Sequence, residues 1–67
     1  MILEYGKIFK TIRINKNMSA KEVSILSNIS NSYLSEFENL KKSLPFETLS
    51  ILFKTIGIDF VEFSELN

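Results

Sequence analysis

The sequence predicts an all-α fold, a compact bundle of five short helices in one domain covering residues 1–67. Apolar residues recur three and four positions apart along nearly the whole chain, which is the period of amphipathic helices. Serine, asparagine and aspartate stand where such helices would begin or end. Gly- or Pro-based hairpin signals are missing, which outweighs the strand propensity of the many Ile and Phe residues.

The predicted helices span about residues 3–15, 19–27, 30–40, 44–56 and 59–66. An apolar stripe predicts the first one: Tyr5, Ile8, Phe9 and Ile12. Asn17 ends it, since asparagine tolerates the left-handed conformation that follows a helix.

The second and third helices are predicted from their caps. Ser19 and Glu22 form a capping box that opens the second helix. Its inner side is expected to consist of Val23 and Leu26 with Ile25 at the flank. Asn28 is expected to end the helix by adopting the left-handed conformation. After a corner filled by Ile29, Ser30 caps the third helix, and Leu34 and Phe37 face inward from it.

The last two helices are predicted from a proline, a glycine and a second capping box. Ser43 is expected to cap the fourth helix, with Pro45 in its first turn. Its inner side is expected to consist of Phe46, Leu49, Leu52, Phe53 and Ile56. Gly57 is expected to occupy the C′ position after the fourth helix. Asp59 and Glu62 form a possible capping box at the start of the fifth helix.

Composition removes most enzyme classes and predicts a cytoplasmic protein. With no Cys and no His, the chain lacks thiol nucleophiles, imidazole bases and the common zinc ligands, so no cofactor or metal is expected. Glu36 and Glu38 lie two apart and therefore on different faces of a helix, which does not suit paired acid and base chemistry. No apolar run approaches the roughly 20 residues that span a bilayer, and no signal peptide is visible, so no membrane partner is expected.

Charge is polarised along the chain although the formal net charge is zero. Seven of the eight basic residues and only four of the eight acidic ones lie in residues 1–42. The N-terminal part is therefore the part that could meet phosphates.

Together these residues form a recognisable pattern. It consists of Gly6, Phe9, Ile12, Arg13, the run MSAKEVS at 18–24 and the run ISNSYLSEFE at 29–38. The pattern resembles the helix-turn-helix domain of the Cro/phage-repressor (XRE) family, the lambda-repressor-like fold, from about Gly6 to Phe63. Within that family it looks most like the N-terminal domains of Rgg- and PlcR-type regulators, because of LSEFE at 34–38 and IGIDFVEF at 56–63.

The resemblance implies a role for each matching position. The helix over residues 30–40 would be the recognition helix in the major groove of double-stranded DNA. Base contacts would come from Asn31, Ser32 and Glu36. Phosphate contacts would come from Ser19, Ser30, Asn39, Lys41 and Lys42. Arg13 and Glu38 match the family's ion pair between the first and third helices, which we expect to be partly buried and structural.

Several residues depart from the family pattern. Leu40 stands where the family usually has glycine, so a distorted or shifted helix exit is expected. Ser24 replaces a usual alanine, and Ala20 stands where a polar phosphate contact is common. Residues 30–40 contain two Glu and no Lys or Arg. Because phosphate neutralisation supplies most non-specific affinity, a monomer should bind DNA weakly.

The sequence is compatible with two functions. The first is a sequence-specific DNA-binding domain of a repressor-type transcription regulator that acts as a homodimer. Its dimer surface is expected in the last segment, at Ile58, Phe60, Val61, Phe63 and Leu66, unless those side chains only close the core. The second is a protein-binding modulator or antirepressor that keeps the same fold and acts on another regulator.

Overall fold

A computed structural model of the chain describes residues 4–65, and side chains as far as Phe63. The fold is all-α, as predicted, with five helices and no strand among these residues. The helices are α1 (Tyr5–Asn15), α2 (Ala20–Ser27), α3 (Asn31–Glu38), α4 (Phe46–Thr55) and α5 (Phe60–Glu65). The Cα positions extend over 28 × 24 × 21 Å. No helix in the described part is long and apolar enough to cross a membrane.

The core is built around two phenylalanines that are completely buried, Phe9 on α1 and Phe53 on α4. Their ring centroids are 5.3 Å apart at an interplanar angle of 79°, an edge-to-face arrangement. Phe60 and Phe63 of α5 close the other side of Phe53, at 4.9 and 5.5 Å. Burying each phenylalanine fully stabilises the fold by about 1.5–3 kcal/mol, so this cluster holds α1, α4 and α5 together.

Gly6 lets α1 cross α3 at very short range. A Cβ atom placed on Gly6 would lie 2.0 Å from the backbone oxygen of Phe37 and 3.3 Å from a methyl carbon of Leu40. No real Cβ fits there, so the absence of a side chain sets the distance between the two helices. The sequence pattern included Gly6 but did not reveal this contact.

Three helix exits have the predicted left-handed residues. Asn17, Asn28 and Gly57 have φ values of 58°, 60° and 84°. After α1, the amide of Met18 donates to the carbonyl of Arg13 at 3.1 Å, and after α4 the amide of Ile58 donates to that of Phe53 at 2.8 Å. These are Schellman motifs, which satisfy carbonyls that the helix leaves without partners.

Helix α3 is shorter than the predicted range of 30–40, and the residue that turns the chain after it is Leu40. The helix ends at Glu38, Asn39 caps it, and Leu40 takes φ 61° in the position usually held by glycine. The amide of Lys41 closes a Schellman motif on the Glu36 carbonyl at 2.8 Å. A left-handed leucine costs roughly 1–2 kcal/mol, so the exit has regular geometry at an energetic cost.

The fourth helix starts later than predicted, and the predicted cap is wrong. It spans Phe46–Thr55 rather than 44–56, its N-cap is Pro45, and no side chain caps it. Because a residue before proline is driven to extended conformations, Leu44 could not join the helix. Leu44 instead packs into the core with only 8% of its surface exposed.

The inner side of α2 is narrower than predicted. Val23 is its one fully buried residue, while Leu26 and Ile25 are 62% and 70% exposed. Ala20, Ser24 and Ser27 flank Val23 and are half-buried. Small side chains therefore form the contact face of α2, and its two largest aliphatic side chains face solvent.

The final segment mainly closes the core. Phe60 is buried, while Ile58 and Phe63 pack against the core. The Asp59 carboxylate accepts from the Glu62 amide at 3.2 Å and so caps α5. Val61 is 46% exposed, and Leu66 lies outside the described residues. Of the five residues expected to form a dimer surface, Phe60 is thus buried in the core, and the dimer stays a prediction.

Candidate nucleic-acid interface

Two short helices, α2 and α3, meet at a corner formed by Asn28, Ile29 and Ser30. Asn28 turns the chain with φ 60°, and the amide of Ile29 donates to the Ser24 carbonyl at 3.2 Å. The Ser24 hydroxyl donates in return to the Ile29 carbonyl. This reciprocal pair ties the corner to α2, which gives the serine at this position a structural function.

The outward face of α3 is polar and exposed. It consists of Asn31, Ser32, Ser35 and Glu36, at positions that share one side of a helix, while Leu34 and Phe37 are buried on the other. The side chains of Asn31, Ser32 and Glu36 form no hydrogen bond within the described part of the chain, so their donors and acceptors are available to a ligand.

Two of the predicted phosphate contacts are helix caps. The Ser19 hydroxyl accepts from the Glu22 amide at 3.0 Å, and the Ser30 hydroxyl accepts from the Tyr33 amide at 3.1 Å. In each case the oxygen is used as an acceptor and the hydroxyl hydrogen remains available to donate. Both serines are exposed. They can therefore cap a helix and donate to a phosphate oxygen at the same time.

The remaining predicted phosphate contacts surround the exit of α3. Lys41 and Lys42 are exposed and follow Leu40 directly. The ammonium of Lys42 lies 4.7 Å from the centroid of the Tyr33 ring, a cation–π contact that holds it near α3. The Asn39 amide nitrogen donates to the Ser35 hydroxyl at 3.3 Å. Both cations of this region thus lie after the helix.

Arg13 and Glu38 form a buried ion pair between α1 and α3, each 8% exposed. Arg13 Nε lies 2.8 Å from Glu38 Oε2, and Nη2 lies 3.0 Å from Oε1, a bidentate geometry. Nη1 also donates to the Met18 carbonyl at 2.7 Å. No buried polar side-chain atom among the described residues lacks a partner. The pair thereby links α3 to both ends of the turn that follows α1.

Sequence reasoning missed Gly6 as a determinant of this site. Gly6 and the ion pair are two separate constraints on α3, one near each of its last two residues, Phe37 and Glu38. The available signal was a glycine inside an otherwise helical pattern, which usually has a packing or functional reason. No group of metal-ligating side chains that could hold an ion occurs in the described part of the chain.

The family comparison agrees with this geometry. A family model described as helix-turn-helix matches residues 9–63, which include α2, the corner and α3. Comparisons with curated proteins and with solved structures found no match. Domains of the matched family bind double-stranded DNA in transcription regulators and are typically not enzymes. Since the match covers most of the chain, the protein belongs to the XRE-type helix-turn-helix family of DNA-binding domains.

Proposed function

We propose that this domain is the sequence-specific DNA-binding part of a cytoplasmic transcription regulator, that α3 enters the major groove, and that two copies bind one operator. The observation that carries the proposal is the division of α3 into two faces. Leu34, Phe37 and Glu38 anchor one face to the protein, while the other presents unengaged polar groups. A helix held in this way can approach base edges without rearranging.

The exposed side chains suit particular bases. Asn31 can form two hydrogen bonds with adenine, and Glu36 can accept from the amino group of cytosine. Ser32 can donate or accept. No arginine is present on α3 for the usual bidentate contact with guanine, so we expect the selected half-site to contain A and C at the positions that face Asn31 and Glu36.

Affinity must come largely from outside α3. Ser19, Ser30 and Asn39 can donate to phosphates without carrying charge, so Lys41 and Lys42 are the proposed ionic contacts. Each phosphate neutralised contributes about 0.9 to the slope of log affinity against log salt. Two such contacts give a slope of about −1.8 per copy, or roughly a 12-fold loss of affinity from 50 to 200 mM salt.

Selection of binding sites from a random duplex library, followed by salt titration of the selected duplex, tests the proposal. We expect one enriched motif and a shallow salt slope that Lys41→Ala reduces by about 0.9 per copy. Lys54→Ala is the matched control, because Lys54 is an exposed lysine on α4, distant in sequence from the corner. Asn31→Ala should weaken selection at one base position. Absence of any enriched motif at low salt would refute DNA readout.

Protein binding is the second candidate, and a specific observation favours it. Ile25 and Leu26 are neighbouring aliphatic residues that are 70% and 62% exposed, and α3 carries no cation. Such a surface also suits contact with another regulator. If the duplex library yields no motif, binding assays with regulator proteins become the relevant experiment. The closeness to Rgg- and PlcR-type regulators stays a prediction.

A further inference from the structure

The side chain of Lys42 is held against α3 by an aromatic ring. Its ammonium nitrogen lies 4.7 Å from the centroid of the Tyr33 ring. This is inside the limit of roughly 6 Å within which the face of a ring attracts a cation. After the left-handed turn at Leu40, the Lys42 side chain thus reaches back to the first turn of α3, the turn that Ser30 caps. The contact places a cation on a helix that carries no Lys or Arg of its own.

Lys41 and Lys42 are adjacent exposed lysines with different surroundings. The Lys42 ammonium contacts the Tyr33 ring, whereas the Lys41 ammonium has neither a ring nor a carboxylate partner among the described residues. A free lysine side chain samples many rotamers, and fixing it on a ligand costs much of that conformational entropy. Because the ring restricts the rotamers of Lys42 before any ligand binds, Lys42 loses less entropy on binding than Lys41 does.

Tyr33 is itself held in place by the fold. The residue is half-buried and packs against the hydrophobic core, and its amide donates to the Ser30 hydroxyl at 3.1 Å. Tyrosine also has only two side-chain torsions to fix, far fewer than lysine. The ring is therefore a rigid support, and the position of the Lys42 ammonium follows the position of α3.

We propose that Tyr33 is a positioning residue for DNA binding, and that its ring holds the Lys42 ammonium where it donates to a phosphate of the duplex that α3 enters. The inference rests on the proposed function, which makes Lys42 a phosphate contact. An ammonium has three N–H donors, so one side of it can lie on the ring while the other donates to phosphate oxygens. The ring and the phosphate therefore bind the cation together. A phosphate contact held in this way sets the register of α3 on the duplex.

Fluorescence anisotropy titrations of a labelled duplex that carries the selected half-site test the proposal in a double-mutant cycle. We expect Tyr33→Leu to weaken binding about 2- to 5-fold, which corresponds to the strength of an exposed cation–π contact. In a Lys42→Ala background the same substitution should have no further effect. In a Lys41→Ala background, the matched control, it should still weaken binding about 2- to 5-fold. Tyr33→Phe keeps the ring and should bind like the wild type.

Proton NMR of the free protein tests the contact without DNA and requires no variant. The methylene protons next to the Lys42 ammonium should show an upfield ring-current shift in the wild type. Tyr33→Phe should keep this shift and Tyr33→Leu should lose it. Absence of the shift in the wild type would overturn the proposal.

The cycle separates positioning from a general effect on the fold. If Tyr33 only supported the core, Tyr33→Leu would weaken binding equally with and without Lys42, and that result would overturn the proposal while leaving DNA binding intact. Coupling between Tyr33 and Lys42 that is absent between Tyr33 and Lys41 would support it. If the wild type binds no duplex although the ring-current shift is present, DNA binding itself fails and the positioning proposal fails with it.

Discussion

The buried pair of Arg13 and Glu38 provides the sharpest test of how α3 is held. Arg13→Met removes the guanidinium and leaves the Glu38 carboxylate buried without a partner. Glu38→Gln keeps the shape of the side chain and leaves the guanidinium buried with its charge uncompensated. Arg13 also donates to the Met18 carbonyl at 2.7 Å, a bond that only the first change removes. We therefore expect Arg13→Met to be the more destabilising substitution.

The size of the effect follows from burial. Removing one partner of a buried pair costs about 3–5 kcal/mol, against about 0–1 kcal/mol for an exposed pair. A domain of this length has a total stability of roughly 3–10 kcal/mol. Each kcal/mol moves the melting temperature of a small domain by about 4–8 °C, so a loss of 12 °C or more is expected. Either single variant should be substantially unfolded near physiological temperature.

Urea and thermal unfolding, followed by circular dichroism, measure this effect. The double variant completes a double-mutant cycle, and its loss of stability should be smaller than the sum of the two single losses by about 1–3 kcal/mol. Lys10→Met, at an exposed position of the same helix, is the matched control and should leave stability nearly unchanged. Single losses below about 1 kcal/mol would show that the pair is solvated and that other contacts orient α3.

Two further substitutions test the packing and capping around the same helix. Gly6→Ala should destabilise the fold by about 1–3 kcal/mol or more through overpacking, and so lower the melting temperature, because the new Cβ would lie 2.0 Å from a backbone oxygen. At an unconstrained helical position the same change would instead stabilise the fold by about 1 kcal/mol, so the sign of the change decides. Ser30→Ala should cost about 0.5–2 kcal/mol in thermal unfolding because it removes the cap of α3, whereas Ser43→Ala should have little effect because no side chain caps α4; equal losses would contradict the assigned caps.

The sequence predicted those features that are determined by residues close together along the chain. Serine at positions 19 and 30 specifies where α2 and α3 start, since a hydroxyl can satisfy an amide only three residues away. Asn17, Asn28 and Gly57 specify three exits, because few residues adopt positive φ without strain. The buried Phe9, Leu34 and Phe53 followed from helical spacing. These features depend on neighbours along the chain, so a linear pattern contains them.

The errors have causes that local patterns do not contain. Ser43 has the chemistry of a cap, but Leu44 and Pro45 hold the chain extended, because Leu44 is pulled into the core. Leu26 fits an inner stripe, yet α2 is too short and too closely packed to bury more than Val23. At Leu40, a left-handed leucine is stable only because the surrounding contacts determine its conformation. The exclusion of a side chain at Gly6 depends on α3, which lies about 30 residues further along the chain.

The position of α3 and the chemistry it presents depend on different residues. Phe37, Glu38 and the contact with Gly6 determine the position, and none of these groups is available to a base. Asn31, Ser32 and Glu36 determine the chemistry and contribute no hydrogen bond to the fold among the described residues. Substitutions at these three positions should therefore have little effect on stability, and under the proposed function they would change the sequence preference. The left-handed Leu40 connects the position of α3 with its chemistry. Its side chain lies next to Gly6 of α1, and the turn that leads to Lys41 and Lys42 begins at its backbone.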